Sequence, residues 1–254
     1  MIFELGILAV GLVAGVLSGL FGIGGGIVMV PVLIAFFGLD MLDANAASLA
    51  AMLLPVGFLG VINYYKAGYI KVRESLWIAC GLFVGSFLGA KIALSIDINS
   101  LSKLYAGFLL YVALQFLLPD LFRNKAGKPA SNIKHASWQM LLMGVFAGVI
   151  AGMFGKGGGI IIVPILIKIF KYDQRAATAT SLAALQLPVG LPSVIEYAQS
   201  GHFNLTFAVL LAFGLVTGTF FGSKWALKLS AAIFKKIYAV FLLGVAVYMV
   251  VHFL

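Results

Sequence analysis

The sequence predicts an all-α integral membrane protein of two inverted repeats, each a broken or re-entrant glycine-motif segment plus three transmembrane helices. Three observations predict it. The 254 residues are 63% hydrophobic and only 10% charged, against roughly 25% charged in soluble domains. The apolar runs are long enough for helices of about 20 residues to span the hydrocarbon layer, and they lack the alternation of barrel strands. The stretch GVLSGLFGIGGGIVMVPVLI, from Gly15 to Ile34, returns as GVIAGMFGKGGGIIIVPILI from Gly148 to Ile167, 133 residues later and without a gap. The chain divides into a first repeat over 1–118, a linker loop over 119–137 and a second repeat over 138–254.

The first segment, Leu5 to Phe37, is too long for one ordinary span. Gly22, Gly24, Gly25 and Gly26 are expected to break it, and Pro31, which lacks the N–H that a helix interior uses, to interrupt it again. It opens with Met1 and Glu4 without a basic leader, so it reads as mature structure. The second segment, Ala44 to Tyr65, carries Pro55 and Gly57 near its middle, where a kink is expected. Lys66, Lys71 and Arg73 then mark a basic loop. The third segment, Ser75 to Leu94, has Gly81, Gly85 and Gly89 on one face, a surface for close helix packing, with Cys80 read as a small buried packing residue. The fourth runs from Lys103 to Leu118. The second half repeats the plan: Trp138 to Phe170, Ala176 to Tyr197 with Pro188 and Gly190, a helix faced by Gly214, Gly218 and Gly222, and a last helix from Phe234 to Phe253.

Charge decides the topology. If every segment crosses once, the two sides hold nine and seven Lys and Arg residues. If each glycine segment enters and leaves on the same side, one side holds fourteen and the other only Lys91 and Lys103, with Lys156 inside the motif. Cytoplasmic loops are enriched in basic residues, so the second arrangement is predicted, with inverted halves and both ends outside. It also makes the loop with Asp40 and Asp43 acidic where its counterpart, with Lys168, Lys171 and Arg175, is basic. The net charge of +9 then reflects basic cytoplasmic loops and not a nucleic-acid partner.

Chemistry concentrates at the glycines. A helix that restarts after them exposes unpaired backbone N–H groups and the positive end of its dipole, which suits an anion. The predicted substrate contacts are Gly24, Gly25 and Gly26 with Gly157, Gly158 and Gly159. Lys156, whose counterpart is Ile23, adds charge. Asn45, Ser48, Thr178, Ser181 and Gln186 supply polar groups from the neighbouring helices. Glu196 reads as an interfacial glutamate or a coupling carboxylate, Tyr64 and Tyr197 as interfacial aromatics, and Lys91 and Lys224 as snorkelling anchors. Gly155-Lys156-Gly157 lacks the Ser or Thr that follows the lysine of a P-loop. His135, His202 and His252 lie at or beyond segment ends and form no ligand cluster, and no acidic pair sits within a span. No catalytic residue, metal site or cofactor is predicted, and the chain does not read as an enzyme.

The duplicated pattern G-x-x-x-G-x-x-G-x-G-G-G-x-x-x-x-P, from Gly15 to Pro31 and again from Gly148 to Pro164, resembles that of the sulfite exporter TauE/SafE family of membrane permeases. The resemblance covers nearly the whole chain and implies export of sulfite, sulfonates or related sulfur-containing oxyanions across the bacterial inner membrane by a multi-pass protein. A small sulfur-containing anion and the lipid bilayer are then the expected partners. Without a nucleotide-binding domain, coupling to the proton gradient is the economical expectation. A passive anion channel is the alternative, and a membrane-embedded enzyme a more distant one. Replacing Lys156 with Ile makes the two knots equal in charge. Anion flux into proteoliposomes is expected to weaken while the protein still purifies as a folded species, and unchanged flux would reduce Lys156 to a snorkelling side chain.

Overall fold

The structure is a computed structural model that describes residues 2–21, 25–54, 58–117, 136–155 and 158–226, with isolated positions between 240 and 248. Gly24, Lys156 and Gly157, almost all of the linker and most of the last predicted helix lie outside the described residues.

All regular structure among the described residues is helical. The first half forms α1 (Ile2–Phe21), α2 (Gly26–Phe37), α3 (Met41–Ala51), α4 (Phe58–Lys66), α5 (Val72–Ser95) and α6 (Ile98–Leu117). The second forms α7 (Ser137–Phe154), α8 (Gly159–Lys168), α9 (Gln174–Leu185), α10 (Leu191–Gln199) and α11 (Leu205–Ala226). Starts recur at the sequence offset: Gly26 and Gly159, Met41 and Gln174, Phe58 and Leu191, Val72 and Leu205 are each 133 residues apart. The repeat therefore governs where helices begin as well as which residues they contain.

One helix ends at Phe21 and the next starts at Gly26, and likewise Phe154 and Gly159 bound the second glycine motif, but the prolines do not add a break. Pro31 and Pro164 lie inside α2 and α8. Each is the sixth residue of its helix, so the missing N–H removes one backbone bond and the flanking bonds carry the helix through. The second segment of the second half departs from prediction the other way: the expected kink is a full break, with α9 ending at Leu185 before Pro188, whereas Pro55 and Gly57 of the first half lie outside the described residues. A residue preceding proline is pushed out of the helical region, and glycine two residues on removes the incentive to resume at once. In the second half the break is a turned stretch closed by bonds from Val189 N–H to the Leu187 carbonyl (2.6 Å) and from Leu191 N–H to the Pro188 carbonyl (3.0 Å).

Two helix pairs form the frame. The backbone of α5 lies against that of α7: a Cβ on Gly85 would sit 2.2 Å from the Val145 carbonyl oxygen, and one on Gly148 would sit 2.6 Å from that of Leu82. Gly81 faces Gly144, Gly85 faces Val145 and Gly89 faces Val149, so the two helices run parallel. The pair α1 and α11 repeats this, with Gly11 on Leu211, Gly15 on Leu215 and Gly218 on Leu12. In each pair a helix of one half packs on a helix of the other. With no water to drive apolar surfaces together in a bilayer, such close backbone approach supplies the packing. The outward faces carry Trp77, Phe83, Val84, Phe146, Phe213 and Phe220, all exposed and apolar. Cys80 belongs to this outward face and is exposed, contrary to its reading as a packing residue, because Gly81 and not Cys80 points at α7. The helices Val72–Ser95 and Ser137–Phe154 are each long and apolar enough to cross a membrane.

Contacts at the helix ends define how the chain folds back. Phe3 at the start of α1 stacks edge-on against Phe37 at the end of α2, with ring centroids 5.3 Å apart, so α2 returns towards the origin of α1. The same end of the molecule holds the Phe3–Phe207 contact (5.7 Å), the Asp43–His202 pair (2.8 Å) and the Ser102 hydroxyl against Met41 sulfur (3.6 Å). At the opposite end Arg73 donates to the Ser137 hydroxyl (3.2 Å) and the Tyr172 hydroxyl donates to the Glu74 carboxylate. Burial, and then the bond to Glu74, push the Tyr172 phenol above its ordinary pKa, which keeps it a donor.

Substituting Gly85 with Ala should cost at least the 1–3 kcal/mol typical of overpacking, roughly, because the added methyl meets backbone and not a movable side chain. Gly107 in α6 has nothing within 4 Å of its Cβ position, so the same substitution there should be neutral or stabilise by up to about 1 kcal/mol. Thermal unfolding of the detergent-solubilised protein distinguishes the two, and equal behaviour would contradict the interlocked backbones.

Candidate functional site

The second glycine knot sits where three elements meet. The helix α7 ends at Phe154 with Gly155 in the left-handed conformation (φ 67°), and a Cβ on Gly155 would lie 2.6 Å from the Cα of Asn45. Glycine is required there for both reasons. The last carbonyls of a helix have no partner within it. Here three of them are met by side chains: Tyr197 hydroxyl donates to Gly152 (2.8 Å), Asn45 Nδ2 to Met153 (2.7 Å) and Ser48 hydroxyl to Gly155 (2.8 Å). Two of the three donors come from α3 in the first half. Asn45, Ser48 and Tyr197 are all fully buried.

This changes the reading of three residues. Asn45 and Ser48, expected to contact substrate, bond the end of α7, leaving Asn45 Oδ1 buried without a partner among the described residues. Tyr197, expected at the interface, is a core residue whose hydroxyl replaces the water that a helix end would bind at a surface. Its side chain packs where α10 crosses towards α7, and nothing in its neighbours in sequence signals that.

The two restarting helices open alike. Gly25 carbonyl accepts from Val28 (3.0 Å) and Met29 (3.1 Å), and Gly158 carbonyl from Ile161 and Ile162 (both 3.0 Å). The amides of Gly26, Ile27, Gly159 and Ile160 therefore stand ahead of the first bonded turn, with no side-chain cap on either helix. Gly25 and Gly26 are buried, as is Gly158, while Gly159 is half-buried. Of the polar groups on α9, Ser181 is buried and its hydroxyl has no partner among the described residues. Its oxygen lies 3.6 Å from the Cβ position of Gly159. Thr178 is half-buried. Gln186 donates to Leu182 of its own helix (3.3 Å) and leaves Oε1 without a described partner.

A cavity of about 50 Å³ adjoins Gly158. Its walls are Leu49, Met52 and Leu53 at the end of α3, Leu82 and Ser86 of α5, Ala151, and the break from Leu185 to Gly190. Ser86 hydroxyl bonds the Val189 carbonyl (2.7 Å), and Ser193 hydroxyl bonds that of Ser86 (2.7 Å), pinning the break to α5. Sequence reasoning missed Ser86 and Ser193; the signal available was a serine inside each of two otherwise apolar segments. Lys91, read as a snorkelling anchor, reaches Glu196 (3.9 Å) and the Phe87 ring (4.6 Å).

A family profile described as sulfite exporter TauE/SafE matches residues 7–249. The chain belongs to the TauE/SafE family. Among similar proteins, the probable membrane transporter protein YunE of Bacillus subtilis (strain 168) is 29% identical over 250 residues, covering 91% of this chain and 88% of that protein. A probable membrane transporter protein of Xylella fastidiosa (strain Temecula1) is 27% identical over 242 residues, covering 93% and 90%. One from Methanocaldococcus jannaschii is 26% identical over 248 residues, covering 91% and 87%. No solved structure matches. As a TauE/SafE protein the chain is a membrane transporter, and its lipid-ready outer faces agree with that.

Replacing Tyr197 with Phe or Ser48 with Ala strands a buried carbonyl of α7, which costs about 1–3 kcal/mol. Replacing exposed Ser95 with Ala, which bonds only its own helix, should change stability by less than about 0.5 kcal/mol. Thermal melts of the three variants in detergent test this, and a wild-type melt for Y197F would remove its capping role.

Proposed function

We propose that the protein is a secondary transporter that exports sulfite, sulfonates or related sulfur-containing oxyanions by alternating access across the bacterial inner membrane, driven by the proton gradient. The observation that carries this reading is the pair of uncapped helix starts, at Gly26 and Gly159, each following a glycine knot inside apolar packing. Irregular backbone at membrane depth is tolerated where it is buried in protein or lines a cavity, and helix N-termini at such breaks face anionic substrates in carriers. The anion is bound by these amides, with Lys156 and the Ser181 hydroxyl as further donors.

Inverted repeats over 1–118 and 138–254 are part of the proposal. The return of α2 to Phe3 supports a re-entrant first segment, and the common placement of Ser137 and Tyr172 at the opening of α5 supports the same for the second. On this topology Lys66, Lys71, Arg73, Lys168 and Lys171 share the cytoplasmic side.

Two measurements test the reading. Proteoliposomes loaded with sulfite or a sulfonate should release it, faster under an inward proton gradient; no flux of any sulfur oxyanion would count against transport of this class, and pH-insensitive flux at channel rates would favour a passive pore. Single cysteines at positions 66 and 171, in a background with Cys80 replaced, should both be labelled from the cytoplasm only. Labelling from opposite sides would overturn the inverted topology.

A further inference from the structure

On the transporter reading and topology above, we infer that Asp43 and His202 form a latch across the outward end, closed by a proton that His202 takes from outside, and that this closure speeds the return of the emptied transporter to its inward-facing state. His202 Nδ1 lies 2.8 Å from Asp43 Oδ1, and the two side chains are 30% and 44% exposed, so water and its protons reach them. The pair joins the two halves: Asp43 stands in the first turn of α3, and His202 between α10 and α11. Among the described residues Asp43 is the only side chain bonded to His202. Of the other charged groups at this end, Glu196 pairs with Lys91 (3.9 Å), and the Asp97 carboxylate accepts from Ser100 N–H (2.8 Å), which holds it below its ordinary pKa. Glu4 of α1, Asp40 ahead of α3 and Lys103 of α6 complete the set.

The fold does not require this pair. The turn that carries His202 is made twice: Gly68 and Gly201 are both left-handed (φ 74° and 83°), and Tyr69 N–H bonds the Tyr64 carbonyl (3.1 Å) as His202 N–H bonds that of Tyr197 (2.9 Å). At the 133-residue offset Tyr69 stands where the second half has His202, and Ala176 where the first half has Asp43. The ionisable pair is thus added, at one end, to a backbone that both halves share. The opposite end is clasped by Tyr172 on Glu74, where burial and that bond keep the phenol protonated. A histidine changes charge between about pH 5 and 8, and a phenol held above its ordinary range does not. Acid therefore acts on the outward clasp and leaves the inward one as it was. With a neutral imidazole the contact to Asp43 is an ordinary hydrogen bond; with an imidazolium it is a charge-assisted bond to a carboxylate, roughly twice as strong. The latch bears on α10 through the bond from His202 N–H to Tyr197, whose hydroxyl holds the Gly152 carbonyl near the end of α7.

The test uses the full chain in proteoliposomes in one orientation, loaded with sulfite, with membrane potential clamped and internal pH fixed so that the charge of the substrate stays constant. Efflux into anion-free buffer should rise about fivefold as external pH falls from about 8 to about 6. His202→Gln and Asp43→Asn should each remove that response while melting like the parent at the higher pH. Asp43→Cys with His202→Cys, in a Cys80→Ser background and bridged by a short bis-methanethiosulfonate, should stop efflux, and reduction should restore it. A parent-like response in H202Q, or efflux through the bridged pair, would overturn the latch and leave the transporter reading standing. A response to internal and not external pH would overturn its outward placement. No efflux from the parent at any pH would overturn both readings.

Discussion

Water is scarce inside a bilayer, so every backbone group released by a broken helix must find a protein partner. The chain leaves the helix at Gly155 and again before Pro188, and the end of α7 shows how the constraint is met. Two carbonyls in its last turn and that of the capping Gly155 receive three side-chain donors, two of them from α3, which lies more than a hundred residues away. Leaving those carbonyls unpaired would cost several kcal/mol by general estimates for buried polar groups, roughly the whole margin of a small domain. The break that precedes a new helix start thus depends on the other half of the protein to hold the preceding helix end.

The glycine faces serve the same dependency. Because α5 and α7 touch backbone to backbone, their separation is fixed by main-chain contact and not by side chains that could rearrange. That fixed spacing brings the serines of α5 within reach of the break after α9, where Ser86 and Ser193 exchange bonds with main-chain carbonyls. Small residues here do two things: they allow close approach, and they place short hydroxyl side chains where a longer one would not fit.

Much of this was legible from the sequence. Helix starts recur at the 133-residue offset of the sequence repeat, and glycines at four-residue spacing face a neighbouring helix, since each follows from local backbone chemistry or from self-similarity. What was not legible depends on tertiary neighbours. A proline signals a helix irregularity, but whether it kinks, breaks or is tolerated depends on its place relative to the helix start, which is why Pro31 continues a helix and Pro188 follows the end of one. The residues Asn45, Ser48 and Tyr197 have the right chemistry for a ligand and use it on backbone, a distinction visible only once the end of α7 is placed beside them. Cys80 faces outward for a reason one residue wide: its neighbour Gly81 occupies the packing face.

The same cross-connections limit how such a membrane transporter can move. Alternating access is easily pictured as one repeat rocking against the other, but the interfaces do not follow the repeats. The helix α5 of the first half is locked on α7 of the second, and α1 of the first on α11 of the second, each through backbone contacts closer than a methyl group allows. A rotation of whole repeats would shear both interfaces and pull Ser48 from Gly155. Motion that keeps the closest contacts intact must treat each locked pair as a body and concentrate change in the broken segments between them, where α9, its following turn and α10 are held to α5 by hydroxyl bonds and a few side chains. Hydroxyl bonds to carbonyls exchange at a net cost near 1 kcal/mol each, whereas interlocked backbones cannot slide without clashing. The breaks, and not the repeats, are therefore the hinges that this packing permits.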